Sequence, residues 1–384
     1  MKYRILVGAI LLGLNGPFLL HASKLRTDQE GQPEIVKNEK EVRLGPNSRL
    51  ILVEDSNMIN QFKLNNELAR NRFEEAVLAF TEKPNLQEAW KSLVHSSDRV
   101  GIKINTKGST VFQSKPVFVD SVVSGLLSAG VAKENITIWD DSQDELKAAG
   151  WRVDGVPARG ARVSSVVPGT GYDAEQFLFH EVVGRLIWGD HDFVGKKSPP
   201  LDIGNLKKGI EDKEESVSKK KQQVSNRSYF ANIVSKNTDK IINLAVMSDH
   251  PTLGLWGCLS SLALCSIDNN RRFNSPKKFA ARAVAEILTN EVLKDKVVLH
   301  VLDGTIMQFA GGPDFVANYA ESLGLIMVGQ DAVAMDSMVR KRIEKARQAR
   351  SVVPLSGNAL HIEACESFGL GTTTEAEIEL VLLP

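Results

Sequence analysis

IINLAVMSDHPTLGLWGCLSSLALCSIDNNRRF, residues 241–273, is the stretch whose reading decides the fold. Its first part, Ile241 to Met247, is a near-continuous apolar run, which suits a strand in a parallel sheet covered on both faces. Ser248, Asp249, His250 and Pro251 follow at once, and a proline does not extend a central strand. Three hydrogen-bonding side chains are thereby predicted at the carboxyl end of a buried strand, where open α/β sheets place their ligands.

The same alternation runs outward in both directions. Upstream, Asn57 to Phe80 carries apolar residues at one-face helical spacing, and Pro84 opens a second helix. Asp98 to Ile104 reads as a strand, with a turn over Asn105 to Thr110 and a helix from Pro116 that stops at Gly130. Ile136 to Trp139 is the next strand, ending in Asp140 and Asp141. Phe177 to Val183 and Arg185 to Trp188 read as short strands. Downstream, the pattern predicts helices over Tyr229–Lys236, Pro276–Leu288, Ala332–Ala349 and Ser356–Cys365. The strands there are Val297–Leu302, ending in Asp303, then Leu325–Val328 and a closing Ile378–Leu383. This order predicts an α/β fold with a mixed, mostly parallel sheet and flanking helices. We divide it into two α/β lobes, 47–195 (with a helical preface) and 228–384. Between them, 196–227 mixes both signs of charge with little apolar surface, as a solvated linker or insertion does.

With 384 residues, 42% of them hydrophobic and 24% charged, the chain has the composition of a soluble globular protein. Its 47 basic residues balance 47 acidic ones, and no basic stripe interleaves with aromatics. A nucleic-acid partner is therefore not expected. Lys2 and Arg4, the apolar run Ile5–Leu14, and Ala22 with Ser23 follow the order of a secretory signal. Residues 1–22 are expected to be removed on export to the periplasm or beyond, leaving 23–46 as a tether and no stable transmembrane span. The apolar run is too short for the roughly 20 residues a spanning helix needs. Three cysteines, Cys258, Cys265 and Cys365, are too few to hold an iron–sulfur cluster through four thiolates. Cys258 and Cys265, seven apart on a helix, lie about 10 Å apart and do not bridge each other.

Four strands are thus predicted to end in polar residues: Lys103 with Asn105, Asp140 with Asp141, Asp249 with His250, and Asp303. In a parallel sheet their ends fall along one edge. Lys103 and His250 are the catalytic candidates, since a lysine inside an apolar strand must pair or act, and histidine titrates near neutral pH. Asp140, Asp249 and Asp303 are candidate ligands for a divalent metal. Asn105, Arg271 and Arg272 are candidates for substrate binding, the arginines offering forks for a carboxylate or phosphate.

Four blocks, VGIKIN at Val100–Asn105, Ile241 to Phe273, LHVLDGTIMQFAGGP at Leu299–Pro313 and VGQDAVAMDSMV at Val328–Val339, resemble the family called domain of unknown function 362. The resemblance implies an α/β fold and brings no established activity. Ile104 stands where the family usually has proline, and Ser248 stands where it usually has lysine. From these readings we expect an exported protein with a polar cleft at the carboxyl edge of its sheet. It would act as an enzyme on a small anionic molecule, with a divalent metal as its candidate cofactor. The alternative is a non-catalytic exported module that binds a small molecule or a metal in the same cleft.

Overall fold

The structure is a computed structural model that describes residues 48–153, 160–194, 223–274, 277–355 and 359–383. The expected leader and tether, and residues 196–222 of the expected linker, lie outside these described residues. The chain begins with β1 (Ser48–Glu54), a small pair β2 (Ile59–Asn60) and β3 (Lys63–Leu64), and the helices α1 (Asn66–Thr81) and α2 (Leu86–Leu93). There follow β4 (Val100–Lys103), α3 (Pro116–Ser128), β5 (Ile136–Ser142), α4 (Gln143–Ala148) and β6 (Arg162–Val167). A long hairpin of β7 (Tyr172–Arg185) and β8 (Val224–Ala231) leads through α5 (Asn232–Ser235) to β9 (Lys240–His250). Then come β10 (Gly254–Trp256), α6 (Cys258–Cys265), α7 (Lys277–Thr289), β11 (Val297–Gln308), β12 (Ala320–Gly329), α8 (Ala332–Ala349), α9 (His361–Ser367) and β13 (Ile378–Leu383).

One sheet carries the architecture, in the order β13-β1-β12-β11-β9-β4-β5-β6, with β10 folded back on β9. Five neighbouring pairs are parallel, and the antiparallel ones involve β12 and β10. The expected α/β fold with a mostly parallel sheet is what the chain forms. The two expected lobes are instead one sheet, because β4 pairs with β9 and β1 sits between β12 and β13. Alternate residues of each strand feed two cores. Ile242, Leu244, Val301 and Ile326 pack toward α1, α2 and α3, while Ile241, Ala245, Leu302 and Met327 pack toward α6, α7, α8 and α9. Burial on both faces explains why β9 reads as a continuous apolar run.

α3 shows how local sequence sets an element. Pro116 occupies the first turn, where its missing N–H is no loss. At the other end Gly130 takes φ +95, and the Val131 N–H returns to the Leu126 carbonyl, closing the helix.

From β4 the chain moves outward through β5 and β6, then returns to place β9 on the other side of β4. That reversal is a topological switch point, and the carboxyl ends of β4 and β9 flank it. Three polar clusters expected at strand ends lie inside strands. β9 continues through Ser248, Asp249 and His250, because β10 pairs with all three, and Pro251 sits in the hairpin turn. β5 runs on through Asp140 and Asp141 to Ser142 against β6. β11 extends past Asp303, with an irregularity in its pairing to β9 between Asp303 and Met307. Tyr229 to Ala231, expected as helix, ends β8, where all three side chains are buried.

Candidate functional site

The centre of the carboxyl edge is a buried ion pair. Lys103, the last residue of β4, places Nζ 2.9 Å from Asp140 Oδ1 of β5, and both side chains are 1% exposed. Lys103 Nζ also donates to the Ile104 carbonyl at 2.6 Å. Asp140 Oδ2 accepts from the Thr106 N–H at 2.9 Å and the Thr106 hydroxyl at 2.7 Å, and Oδ1 from the Asp141 N–H at 2.9 Å. Burial disfavours both charges, but Asp140 outweighs it at Lys103, whose pKa is raised. Likewise Lys103, Lys107 and the Thr106 hydroxyl outweigh burial at Asp140, whose pKa is lowered. The pair is therefore ionised across the neutral range.

The turn after β4 adds a second lysine. Lys107 Nζ lies 3.1 Å from Glu145 and 3.5 Å from Asp141, and 5.6 Å from the centre of the Trp256 ring. Burial opposes its charge, yet Asp141 and Glu145 hold its pKa well above the ordinary lysine value. Trp256 ties the expected residues together: its Nε1 donates to Asn105 Oδ1 at 2.7 Å, and its ring stacks on His250 with centroids 5.3 Å apart. Lys103, Asn105, Asp140 and His250 thus belong to one continuous set of contacts that runs through Asp141, Lys107 and Trp256.

Their chemistry differs from expectation. His250 Nδ1 accepts the N–H groups of Thr252 and Leu253, at 3.3 and 3.1 Å, so the ring carries its hydrogen on Nε2. Burial, with Lys107 nearby, lowers its pKa to about 4. A neutral imidazole with its basic nitrogen already engaged by the turn is not placed as a general base. Lys103, paired with Asp140 and donating to the Ile104 carbonyl, holds the site together.

The three aspartates expected to share a metal serve separate networks. Asp249 accepts from the Gly312 N–H at 2.9 Å and lies 3.7 Å from Arg347. Asp303 accepts from the Lys115 N–H at 2.9 Å and from the Thr305 hydroxyl at 2.6 Å. Among the described residues, the ligand atoms that do gather, within 4.8 Å of one another, belong to Asp140, Asp141 and Cys265. Asp140 is already filled by Lys103 and Thr106, and burial pushes the Cys265 thiol well above its usual pKa, so this set suits a metal poorly. All three cysteines are free and buried. The two arginines also separate. Arg272 is 5% exposed, donates to the Val182 carbonyl at 2.8 Å and lies 4.5 Å over the Phe273 ring. Arg271 is exposed.

Beside this network a cleft of about 300 Å³ opens at the carboxyl ends of β5 and β6. Asp141, Ser142 and Asp144 form one wall, Tyr172, Trp188 and Asp190 another, and Asp268, Asn269 and Arg271 a third. Asp190 and Asp268 clamp two of these walls reciprocally. Asp190 accepts from the Ile187 and Asn269 N–H groups at 2.8 and 3.0 Å, and Asp268 from those of His191 and Tyr229 at 2.7 and 2.5 Å. Burial raises Asp190, and burial together with neighbouring Asp190 and Asp192 raises Asp268 to about 7 against its two hydrogen bonds. Thr106, Lys107, Tyr172, Trp188 and Trp256 were not among the sequence candidates. Only Lys107 carried a signal, as a second lysine in the turn after an apolar strand.

Residues 204–341 match the model of the family described as Domain of unknown function (DUF362), the family that the sequence blocks resemble. No curated protein gives a match. Among solved structures, the crystal structure of a Thermotoga maritima protein, a Northeast Structural Genomics Consortium target, is similar at a TM-score of 0.36 and 13% identity. The alignment covers 73% of this chain and 59% of that one.

Proposed function

We propose that this relative of the DUF362 proteins handles a small polar molecule, bound in the cleft at the carboxyl ends of β5 and β6. The supporting observation is position. The cleft shares Asp141 with the buried lysine network beside the switch point, which is where open α/β sheets bind ligands. Of the cations behind the anticipated anionic substrate, Lys103 is paired with Asp140, and Arg272, which donates to the Val182 carbonyl, does not line the cleft. Arg271 alone faces four carboxylates there. We also propose export, supported by the basic-then-apolar start of the chain, and N-terminal sequencing of the mature protein tests it.

Binding is tested by thermal shift with a panel of small polar metabolites. A ligand present at a hundred times its Kd is expected to add about 2.7 kcal/mol to stability. Gln143→Trp, on the cleft wall, should abolish that shift. A shift that survives this substitution, or a panel without any shift, removes the cleft reading.

A further inference from the structure

We propose that two copies of this chain join edge to edge through β13, as an antiparallel pair that continues the sheet across a two-fold axis. β13 ends the sheet, so among the described residues the backbone groups on its outer side have no ladder partner. Its six residues, Ile378 to Leu383, pair with β1 in unbroken register, without a bulge. Proteins guard such edges with lysines, prolines, bulges or a covering loop. At the opposite edge β6 is blunted in this way: beyond Pro168 the chain turns back, and the Thr170 and Gly171 N–H groups donate to the Ser165 and Val166 carbonyls. Among the described residues no loop backbone bonds to β13. Its one charged side chain, Glu379, is drawn back to Arg49 of β1, at 2.9 Å, and does not guard the edge.

The two faces of β13 differ. Val381 and Leu383 pack on the side of α1, α2 and α3, whereas Ile378 packs on the side of α6, α7, α8 and α9. Leu380 and Leu382 share the Ile378 face by strand alternation, yet they are 39 and 66% exposed. Ile378 and Leu380 line an open groove of about 410 Å³ whose far wall is Ser337, Met338, Lys341 and Arg342 of α8. The strand's own sequence selects a second copy as the occupant of this edge. With the two-fold axis at Val381, antiparallel pairing sets Leu380 opposite Leu382 of the partner subunit, and Leu382 opposite Leu380 of the partner subunit. Glu379 then stands opposite Leu383 of the partner subunit. The exposed leucines cover one another, and no charge on the strand meets its like. The formal net charge of the chain is +0, so long-range repulsion does not oppose self-association. Strand addition supplies backbone hydrogen bonds, and the two-fold contact closes the assembly at two copies.

Analytical ultracentrifugation of the full chain, over a concentration series reaching about 100 μM, tests the assembly. A dimer is expected, and Leu382→Lys should raise its dissociation constant at least about tenfold. Leu382 is exposed, so circular dichroism should report unchanged folding of that variant. Adding Leu380→Lys sets like charges directly opposite each other and should leave a monomer. Phe179→Lys is the control, because Phe179 is 63% exposed on β7, outside this edge, and its replacement should leave the dimer intact. A wild-type chain that stays monomeric at about 100 μM overturns the proposal. A dimer that survives both lysines, or one that Phe179→Lys dissociates while Leu382→Lys does not, places the contact elsewhere and overturns it too.

Discussion

Replacing Lys103 by Met is expected to destabilise the fold by about 3 to 5 kcal/mol, the range for removing one partner of a buried ion pair. The loss comes less from the missing attraction than from what it leaves behind. Asp140 would remain at 0% exposure with its charge uncompensated. Adding Asp140→Asn should recover most of the loss, because Asn removes the charge and keeps an acceptor for Thr106. The pH dependence has a definite sign. Asp140 has a lowered folded pKa, so its contribution is present above the unfolded value near 4 and lost as pH falls toward about 2. Lys103 has a raised folded pKa, so its contribution is present below the unfolded value near 10.4 and lost as pH rises beyond it. In Lys103→Met burial raises the folded pKa of Asp140 instead, so the gap between wild type and variant should widen as pH rises from about 4 and narrow below it. Urea denaturation measures it. A gap below about 1 kcal/mol at pH 7 would mean that the pair is not desolvated as its burial indicates.

How far the sequence reached follows from what each signal measures. Apolar periodicity reports burial, so the core of β9, the start of α3 at Pro116 and the whole of β13 were legible. It does not report where a strand's pairing stops. β9 reaches His250 because β10 returns to pair with it, and a three-residue strand, Gly254–Trp256, leaves almost no periodic trace. β1 was missed because SRLILVE adjoins a polar stretch and gains its partners, β12 and β13, more than 270 residues later. At the site, residue types were legible and roles were not. That Lys103 pairs follows from its burial, but that His250 is a turn acceptor depends on the hairpin. The cleft itself joins β5, β6, the segment after β7 and the turn after α6, four places that no local pattern links.

Asp336→Ala is the second substitution expected to have a large effect, and it concerns the helix that follows the hairpin. All eight residues of α6 are buried, so no water reaches the unpaired N–H groups of its first turn. Asp336, on α8 and 0% exposed, accepts two of them, Cys258 N–H at 2.7 Å and Leu259 N–H at 3.0 Å. The approach is close enough to require Gly257, where an added Cβ would lie 2.3 Å from Asp336 Oδ1. Leaving a buried donor unsatisfied costs about 1 to 3 kcal/mol, so Asp336→Ala should cost about 2 to 6 kcal/mol near pH 4, less as pH rises toward 7. Asp336→Asn keeps one acceptor and removes the titration. Burial raises the folded pKa of Asp336 to about 7, against its bonds to Leu259 and Cys258. Between its unfolded value near 4 and 7 the folded chain holds the extra proton, so this group's contribution falls as pH rises through that window. The Asn variant should accordingly gain on wild type from about pH 4 to 7 and run parallel to it above. Thermal denaturation of the three proteins across that range checks both effects. An Ala variant as stable as wild type near pH 4, or an Asn variant whose difference from wild type stays constant from pH 4 to 8, would show that α6 does not depend on this cap.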